Sequence, residues 1–219
     1  MDAIYEEPKR AVLAKRAPMV SEIRFELDRC TAVPAVIGDH REFLIVTGLA
    51  GTSKDLAALT GDADHVFTMA GAMGAAVSTG LGLALARPDR KVLVVTGDGE
   101  LLMNVGALAT VAAENPPNLS ILCVDNGHYG ETGYQRSHTS LGTDLEAMAR
   151  GAGLVSTYTV STERQIGEGA RVLSGGNAAS FVLLRVRPTD PPKFKRDFDA
   201  AACRTRFKRA LSEKGVGGK

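Results

Sequence analysis

The sequence predicts an α/β fold: a single domain with a mostly parallel sheet of about six strands flanked by helices. Three observations carry this expectation. Short apolar, often β-branched runs recur at 43–47, 65–69, 92–96, 119–124, 155–160 and 181–186. Runs of this length, without strict alternation, read as strands buried on both faces of a parallel sheet. Between them lie stretches long enough for helices, opened by capping residues or closed by proline. A chain of 219 residues with 44% apolar content can also bury one sizeable core.

In chain order, residues 1–39 read as one or two amphipathic helices punctuated by Pro8, Pro18 and Pro34. Residues 1–41 are therefore set apart as an N-terminal helical extension, 42–187 as the α/β domain and 188–219 as a basic tail. The strand at 43–47 runs into Thr47-Gly48-Leu49-Ala50-Gly51-Thr52-Ser53. Thr52 or Ser53 can cap a helix beginning near Asp55. A glycine loop before a helix amino end can hold an anion; the plain alternative is a strand–helix connection. The strand at 65–69 leads through Ala70-Gly71-Ala72-Met73-Gly74 into an Ala/Gly-rich helix that ends at Ala86, before Pro88. Gly74, Gly80 and Gly82 each cost about 1 kcal/mol of helix propensity, so a helix that keeps them needs close backbone approach. Met73, taken alone, reads as a core methionine.

The stretch from 92 to 126 organises the rest. Strand 92–96 runs into Gly97-Asp98-Gly99-Glu100, a crossover helix follows, and strand 119–124 ends at Asp125-Asn126. Two parallel strands therefore end in oxygen-bearing side chains, Asp98 and Asn126. A carboxylate with an amide oxygen suits a hard cation, and Mg²⁺ usually adds waters and substrate phosphates. Glycines beside Asp98 let backbone N–H groups approach a diphosphate. The residues thus point to a Mg²⁺–diphosphate site at the carboxyl edge of the sheet, where open α/β folds bind ligands. Asp98 as a turn residue and Asn126 as a left-handed one is the structural alternative.

The loop 127–142, GHYGETGYQRSHTSLG, is polar and too long for a simple connection. It offers His128, Tyr129, Glu131, Thr132, Gln135, Arg136 and His138 for substrate or proton contacts. A solvated loop side chain is the commoner outcome for each histidine taken alone, and for Arg136 a surface position is as expected as a pair with an anionic substrate group. His128 and His138 are the loop side chains of a type suited to donating a proton to an enamine. Thr143 to Glu146 reads as a capping box for a helix ending near Gly151, and Thr162 with Gln165 as a second box for a helix over 162–174. The last strand gives way to RPTDPPKFKRDFDAAACRTRFKRALSEKGVGGK. This tail is expected to be solvated, with a helix near 200–211.

Composition excludes several classes. A net charge of +1 gives no reason to expect nucleic acid or an acidic membrane as partner. Cys30, Cys123 and Cys203 have no metal-cluster spacing, and Cys123 reads as a buried apolar residue. The charged start MDAIYEEPKRAVLAKR has no apolar signal core, and no apolar stretch is both long enough and uncharged enough to span a bilayer. A cytoplasmic protein is expected. Asn118-Leu119-Ser120 fits the glycosylation pattern by chance.

The wording GDGELLMNVGALATVAAENPPNLSILCVDNGHYGETG, with Gly-Ala-Met-Gly upstream, resembles the thiamine-diphosphate-dependent 2-oxo acid decarboxylases. Among these it is similar to the small (beta) subunits of sulfopyruvate decarboxylase and the C-terminal part of phosphonopyruvate decarboxylase, from about residue 43 to 154. The resemblance implies the thiamine-diphosphate-binding fold of the diphosphate (PP) type, with thiamine diphosphate and Mg²⁺ as cofactors. Metal ligands would be Asp98, Asn126 and the backbone carbonyl of His128. Cofactor contacts would come from Thr47, Gly48, Gly71, Met73, Gly97, Asp98, Gly99, Glu100, Asn126, His128, Tyr129 and Gly130. Met73 would support the bent cofactor, and the Gly71 carbonyl would accept from its aminopyrimidine. Glu131, His138 and His128 are the catalytic candidates. The expected reaction turns a small 2-oxo acid into an aldehyde and CO₂. Where relatives carry small residues this chain has His128-Tyr129-Gly130-Glu131, and Glu131 disfavours a doubly anionic substrate unless it points away. The activating glutamate of the family lies on a pyrimidine-binding domain, so a heteromer with an alpha subunit carrying that domain is expected. A carboligase or synthase subunit uses the same cofactor. A nucleotide-binding module lacks its motifs here, since neither G-x-x-x-x-G-K-[ST] nor a properly placed G-x-G-x-x-G occurs. A non-catalytic regulatory subunit would have no need of both Asp98 and Asn126.

Overall fold

The computed structural model describes residues 25–69, 71–195, 197 and 199–212. The helices expected over 1–24 lie outside the described residues. Six strands are β1 (Phe43–Thr47), β2 (Val66–Thr68), β3 (Lys91–Gly97), β4 (Leu119–Asp125), β7 (Ser156–Val160) and β8 (Ser180–Arg185). They form one sheet in the order β2-β1-β3-β4-β8-β7, with every pairing parallel. A short antiparallel hairpin, β5 (His128–Tyr129) with β6 (Gln135–Arg136), stands apart from it. The helices are α1 (Arg29–Ile37), α2 (Gly51–Thr60), α3 (Ala76–Ala86), α4 (Asp98–Met103), α5 (Ala107–Glu114), α6 (Leu145–Gly151), α7 (Ile166–Leu173) and α8 (Ala200–Ser212).

The strand residues divide by period two between the faces of the sheet. Leu44, Val46, Val92, Val94, Ile121, Cys123, Phe181 and Leu183 pack on one side, with α3, α5, α6 and Phe207 of α8. Ile45, Leu93, Val95, Leu122, Val124, Val182 and Leu184 pack on the other, with α1, α2 and α7. Both faces are covered, which is why the strands read as unbroken apolar runs. Close helix–sheet approach explains one helical glycine: a Cβ on Gly80 would meet Val94 Cγ2 at 2.1 Å. Gly82 faces open space, and Gly74 precedes the helix with φ +85°. The close-approach expectation thus holds for Gly80 and fails for Gly82; Gly74 lies outside the helix but is closely approached, since a Cβ there would meet Met103 Cβ and Asn104 Cβ at 3.3 Å.

The termini pack on the domain. Ala32, Val33, Val36 and Ile37 of α1 are buried, and Leu27 forms a parallel bridge with Val186. The tail was expected to be solvated, but α8 buries Cys203, Phe207 and Ala210, which recur on one helical face. The Phe207 ring sits 5.4 Å from that of Phe67 on the sheet's edge strand. Its basic residues have acidic partners: Arg206 lies 3.4 Å from Asp62 and 3.7 Å from Asp197.

Three local expectations are corrected. Helix α2 starts at Gly51, because the Thr52 and Ser53 hydroxyls donate back to the Leu49 and Ala50 carbonyls rather than accept from amides. The single crossover helix is two, α4 and α5, broken where Asn104 donates its side-chain amide to the Gly74 carbonyl. Asp144, not Thr143, caps α6, and Glu146 instead accepts from Thr157 and Thr159 of β7. The Thr162–Gln165 box is present. Asn118 donates to the carbonyls of Ala84, Arg87 and Arg90, a structural clamp at the foot of the sheet. Among the described residues no helix is long and apolar enough to cross a membrane.

Candidate functional site

A cavity of about 220 Å³ opens above the carboxyl ends of β1, β3 and β4. This is the edge at which ligands enter open α/β sheets. Parallel register places Gly97 of β3 beside Val124 of β4, so the residues that follow, Asp98 and Asn126, rise from neighbouring strand ends. Both line the cavity, as do Gly97, Gly99 and Glu100.

Asp98 is buried and begins α4. Its Oδ2 accepts hydrogen bonds from Ser137 Oγ and, at 3.1 Å, from Thr139 Oγ1. Thr139 Oγ1 also lies 2.7 Å from Asp125 Oδ1. One hydroxyl carries one proton, so Thr139 bonds both carboxyls at once only when one of the two, Asp98 or Asp125, is itself protonated. Burial first, and the charge of Asp98 second, push the Asp125 carboxyl up to about 7. Burial also raises Asp98, against the pull of Ser137 and Thr139. The only ion-pair partner of Asp125 among the described residues, Arg185, is 3.9 Å away. Two buried carboxylates with so little countercharge suit a cation.

Glu100 adds a third. Both its oxygens are buried without a hydrogen-bond partner. Burial raises its pKa; the Thr96 side chain and the backbone at Gly97, Gly74 and Leu49 pull it back without reaching hydrogen-bonding geometry. The carboxylate presses on Gly48, where a Cβ would lie 1.6 Å from Oε2. Gly99 is equally constrained: a Cβ there would meet Tyr129 Cε1 at 2.3 Å.

The hairpin β5–β6 supplies the wall opposite α4. Asn126 Oδ1 accepts from the His128 amide at 3.1 Å, and the His128 ring places Nδ1 2.9 Å from the Asn126 carbonyl. That carbonyl can only accept, so Nδ1 carries the proton and Nε2 is left for exchange. Glu131 borders the cavity and pairs with Lys54 at 3.2 Å. Tyr134 donates its hydroxyl to Asp190 at 2.7 Å, tying the hairpin to the segment after β8.

Of the residues expected at the site, Met73, His128, Tyr129, Gly130, Glu131 and Thr132 also line the cavity. Met73 is 37% exposed, so it is not the core methionine of the plainer reading. Thr47 lies beneath, fully buried, with its hydroxyl on the Gly48 carbonyl. Gly71, at φ +80°, and His138 do not line the cavity; His138 is exposed and precedes the turn 139–141. Gln135 and Arg136 are exposed on β6 and also stand outside it. Sequence reasoning missed Ser137, Thr139, Asp125, Arg29, Lys54 and Asp190. Only Asp125, adjacent to Asn126, carried a signal; the others reach the site through tertiary contacts that no spacing encodes.

Among the described residues no group of three or more His, Cys, Asp and Glu gathers as a metal cage. Mg²⁺ needs none, since it keeps waters and phosphate oxygens and takes one or two carboxylates. The carboxylate excess around Asp98, the adjacent amide of Asn126 and the glycine cradle fit a Mg²⁺–diphosphate group.

Comparison with known proteins bears on the diphosphate part of this fit. Residues 50–184 match the family described as thiamine pyrophosphate enzyme, C-terminal TPP binding domain. The sulfopyruvate decarboxylase subunit beta of Methanocaldococcus jannaschii is 45% identical over 120 residues, 55% of this chain and 63% of that one. The phosphonopyruvate decarboxylase of Streptomyces viridochromogenes is 38% identical over 148 residues, 68% of this chain and 36% of the relative. The matches thus span less than two thirds of these relatives. The fold is that of 2-oxoglutarate:ferredoxin oxidoreductase from Magnetococcus marinus, with a TM-score of 0.56 at 19% identity over 84% of this chain and 66% of that one. The chain therefore belongs to the thiamine pyrophosphate enzymes, through their C-terminal TPP-binding domain.

Proposed function

We propose that this chain is the Mg²⁺–thiamine-diphosphate-binding subunit of a heteromeric 2-oxo acid decarboxylase that yields an aldehyde and CO₂. The observation that carries the reading is the placement of Asp98 and Asn126 at neighbouring strand ends in one cavity with the Gly97–Gly99 turn. Relatives named as the beta subunit of sulfopyruvate decarboxylase support both the reaction class and an alpha-subunit partner. The cavity supports the partner as well. At about 220 Å³ it is smaller than the roughly 300–1,000 Å³ of self-contained small-molecule sites.

In this reading Asp98, Asn126 and the His128 carbonyl hold the metal. Ser137 and Thr139 fix the Asp98 carboxylate, as hydrogen-bonded outer partners do for metal ligands. The backbone of Gly97, Gly99 and Glu100 faces the diphosphate, with Thr47, Gly48, Tyr129 and Gly130 shaping the cradle. Met73 is the apolar wedge beneath the rings, and the Gly71 carbonyl accepts from the aminopyrimidine once the partner closes the site. The bound cofactor supplies the electron sink for decarboxylation. His128 moves a proton through Nε2. Glu131 does so only after its pair with Lys54 opens.

Calorimetric titration of the chain with thiamine diphosphate tests this. Binding is expected with Mg²⁺ and lost with excess chelator. Binding of equal strength without the metal would remove the metal assignment, and the absence of binding even with the partner subunit present would remove the cofactor assignment.

A further inference from the structure

Arg29 lies on α1, outside the matched residues 50–184, yet its side chain lines the same cavity. It is 4% exposed. Asp55 of α2 holds it from behind, accepting from Nε at 3.0 Å and from Nη2 at 2.5 Å. Those two bonds use two of the five guanidinium N–H groups. Nη1 has no partner among the described residues, and the guanidinium is aimed at the first turn of α2. A Cβ on Gly51 would lie 2.6 Å from Nη2 and 2.9 Å from Nη1.

That turn is itself short of acceptors. No side chain caps α2, its first turn holds no acidic residue, and Ala50 before it has φ +62°. The Thr52 and Ser53 hydroxyls point back to carbonyls, as described above. Free amides of a ten-residue helix and a fixed guanidinium therefore converge on one wall. Aligned peptide dipoles make such an end attractive to anions, and a planar guanidinium matches oxyanion geometry. Of the other carboxylates lining the cavity, Glu131 is paired with Lys54 and Asp190 with Tyr134, whereas Glu100 has no hydrogen-bond partner and lies against Gly48, in the loop that leads into α2. Asp98 and Asn126 thus line the cavity from the ends of β3 and β4, and Arg29 lines it with the start of α2.

We infer that Arg29 is a diphosphate-positioning residue, held by Asp55 so that its free N–H groups bind a terminal phosphate oxygen of the cofactor. The inference rests on the thiamine-diphosphate reading above. It adds a binding residue from a segment that the family match does not include.

A merely structural role, a clip between α1 and α2, makes a different prediction. Removing Arg29 alone leaves Asp55 buried and unpaired and can unfold the chain. The informative variant is therefore the double substitution Arg29→Gln with Asp55→Asn, which removes both charges and keeps a hydrogen-bonding pair of similar volume. Inorganic pyrophosphate with Mg²⁺ is the probe, measured by calorimetry on the full chain, with the melting temperature recorded alongside. Wild-type binding, a near-unchanged melting temperature and about 10- to 100-fold weaker pyrophosphate binding in the double variant are expected. Arg29→Lys should recover part of the loss by restoring the charge without the fork. Equal pyrophosphate affinity in the wild type and the double variant would overturn the inference while leaving the cofactor reading intact. If the wild type binds neither pyrophosphate nor thiamine diphosphate even with its partner, the cofactor reading fails and takes this inference with it. If the double variant does not fold, Arg29→Lys decides: undiminished pyrophosphate affinity there overturns the inference, and a loss of several-fold supports it.

Discussion

Replacing Asp98 by Asn is expected to weaken Mg²⁺-dependent thiamine-diphosphate binding by more than about 100-fold, beyond the 10- to 100-fold typical of losing a residue that only orients a ligand. The same change should leave the fold at least as stable at pH 7. Asp98 and Asp125 are buried together, share the Thr139 hydroxyl and, among the described residues, have only Arg185 at 3.9 Å as countercharge. Asn at 98 retains an acceptor for Ser137 and Thr139 but removes one charge of the pair. The sign follows from linkage. An acid whose pKa is raised on folding, as Asp125 is to about 7, costs stability at pH values above its unfolded pKa. Relieving the repulsion reduces that cost near neutrality. Thermal melts and calorimetry on one preparation check both halves. Unchanged affinity would show that Asp98 is a turn residue and not a ligand.

The second large effect is all-or-none. The chain alone should release no CO₂ from 2-oxo acids, and addition of the alpha subunit should restore turnover. The cavity is small, and Met73 stands 37% exposed at its edge, where a second domain can cover it. Among the described residues the cavity is lined by two glutamates, and both are held: Glu100 is buried against Gly48 and Glu131 is paired with Lys54. Neither is placed to reach the far ring of a cofactor held by its diphosphate. In the proposed reading a carboxylate from a second domain meets it there. CO₂ evolution from sulfopyruvate and from phosphonopyruvate, with and without the alpha subunit, measures this. Turnover by the isolated chain would show that the acid comes from within.

The six sheet strands were legible because a strand buried on both faces leaves an unbroken apolar run, as at 119–124. The pairing of Asp98 with Asn126 was legible because one crossover unit separates two strand ends. The amino end of α2 was misread because Thr52 and Ser53 satisfy their hydroxyls on carbonyls, a choice that propensity does not reveal. The docking of α8 was missed because its apolar face is only Cys203, Phe207 and Ala210, and its ion-pair partners, Asp62 and Asp64, lie far away in sequence. The hydroxyls of Ser137 and Thr139 were invisible for a similar reason. Only the folding-back of the loop onto Asp98 gives them a role. His138, singled out as a proton donor, faces solvent, since a histidine one residue from Ser137 and from Thr139 points away from the carboxylates they bind.

The central claim is that Asp98 and Asn126 bind the metal of a metal–diphosphate pair, and Mn²⁺ in place of Mg²⁺ tests it most directly. A crystal structure with thiamine diphosphate and Mn²⁺, with data at the manganese edge, locates the ion independently of the protein density. One anomalous peak is expected about 2.0–2.2 Å from an Asp98 carboxylate oxygen, from Asn126 Oδ1 and from the His128 carbonyl oxygen, with diphosphate oxygens and water completing an octahedron. A diphosphate bound in the cavity with the peak elsewhere, or with Asp98 still facing only Ser137 and Thr139, would contradict it.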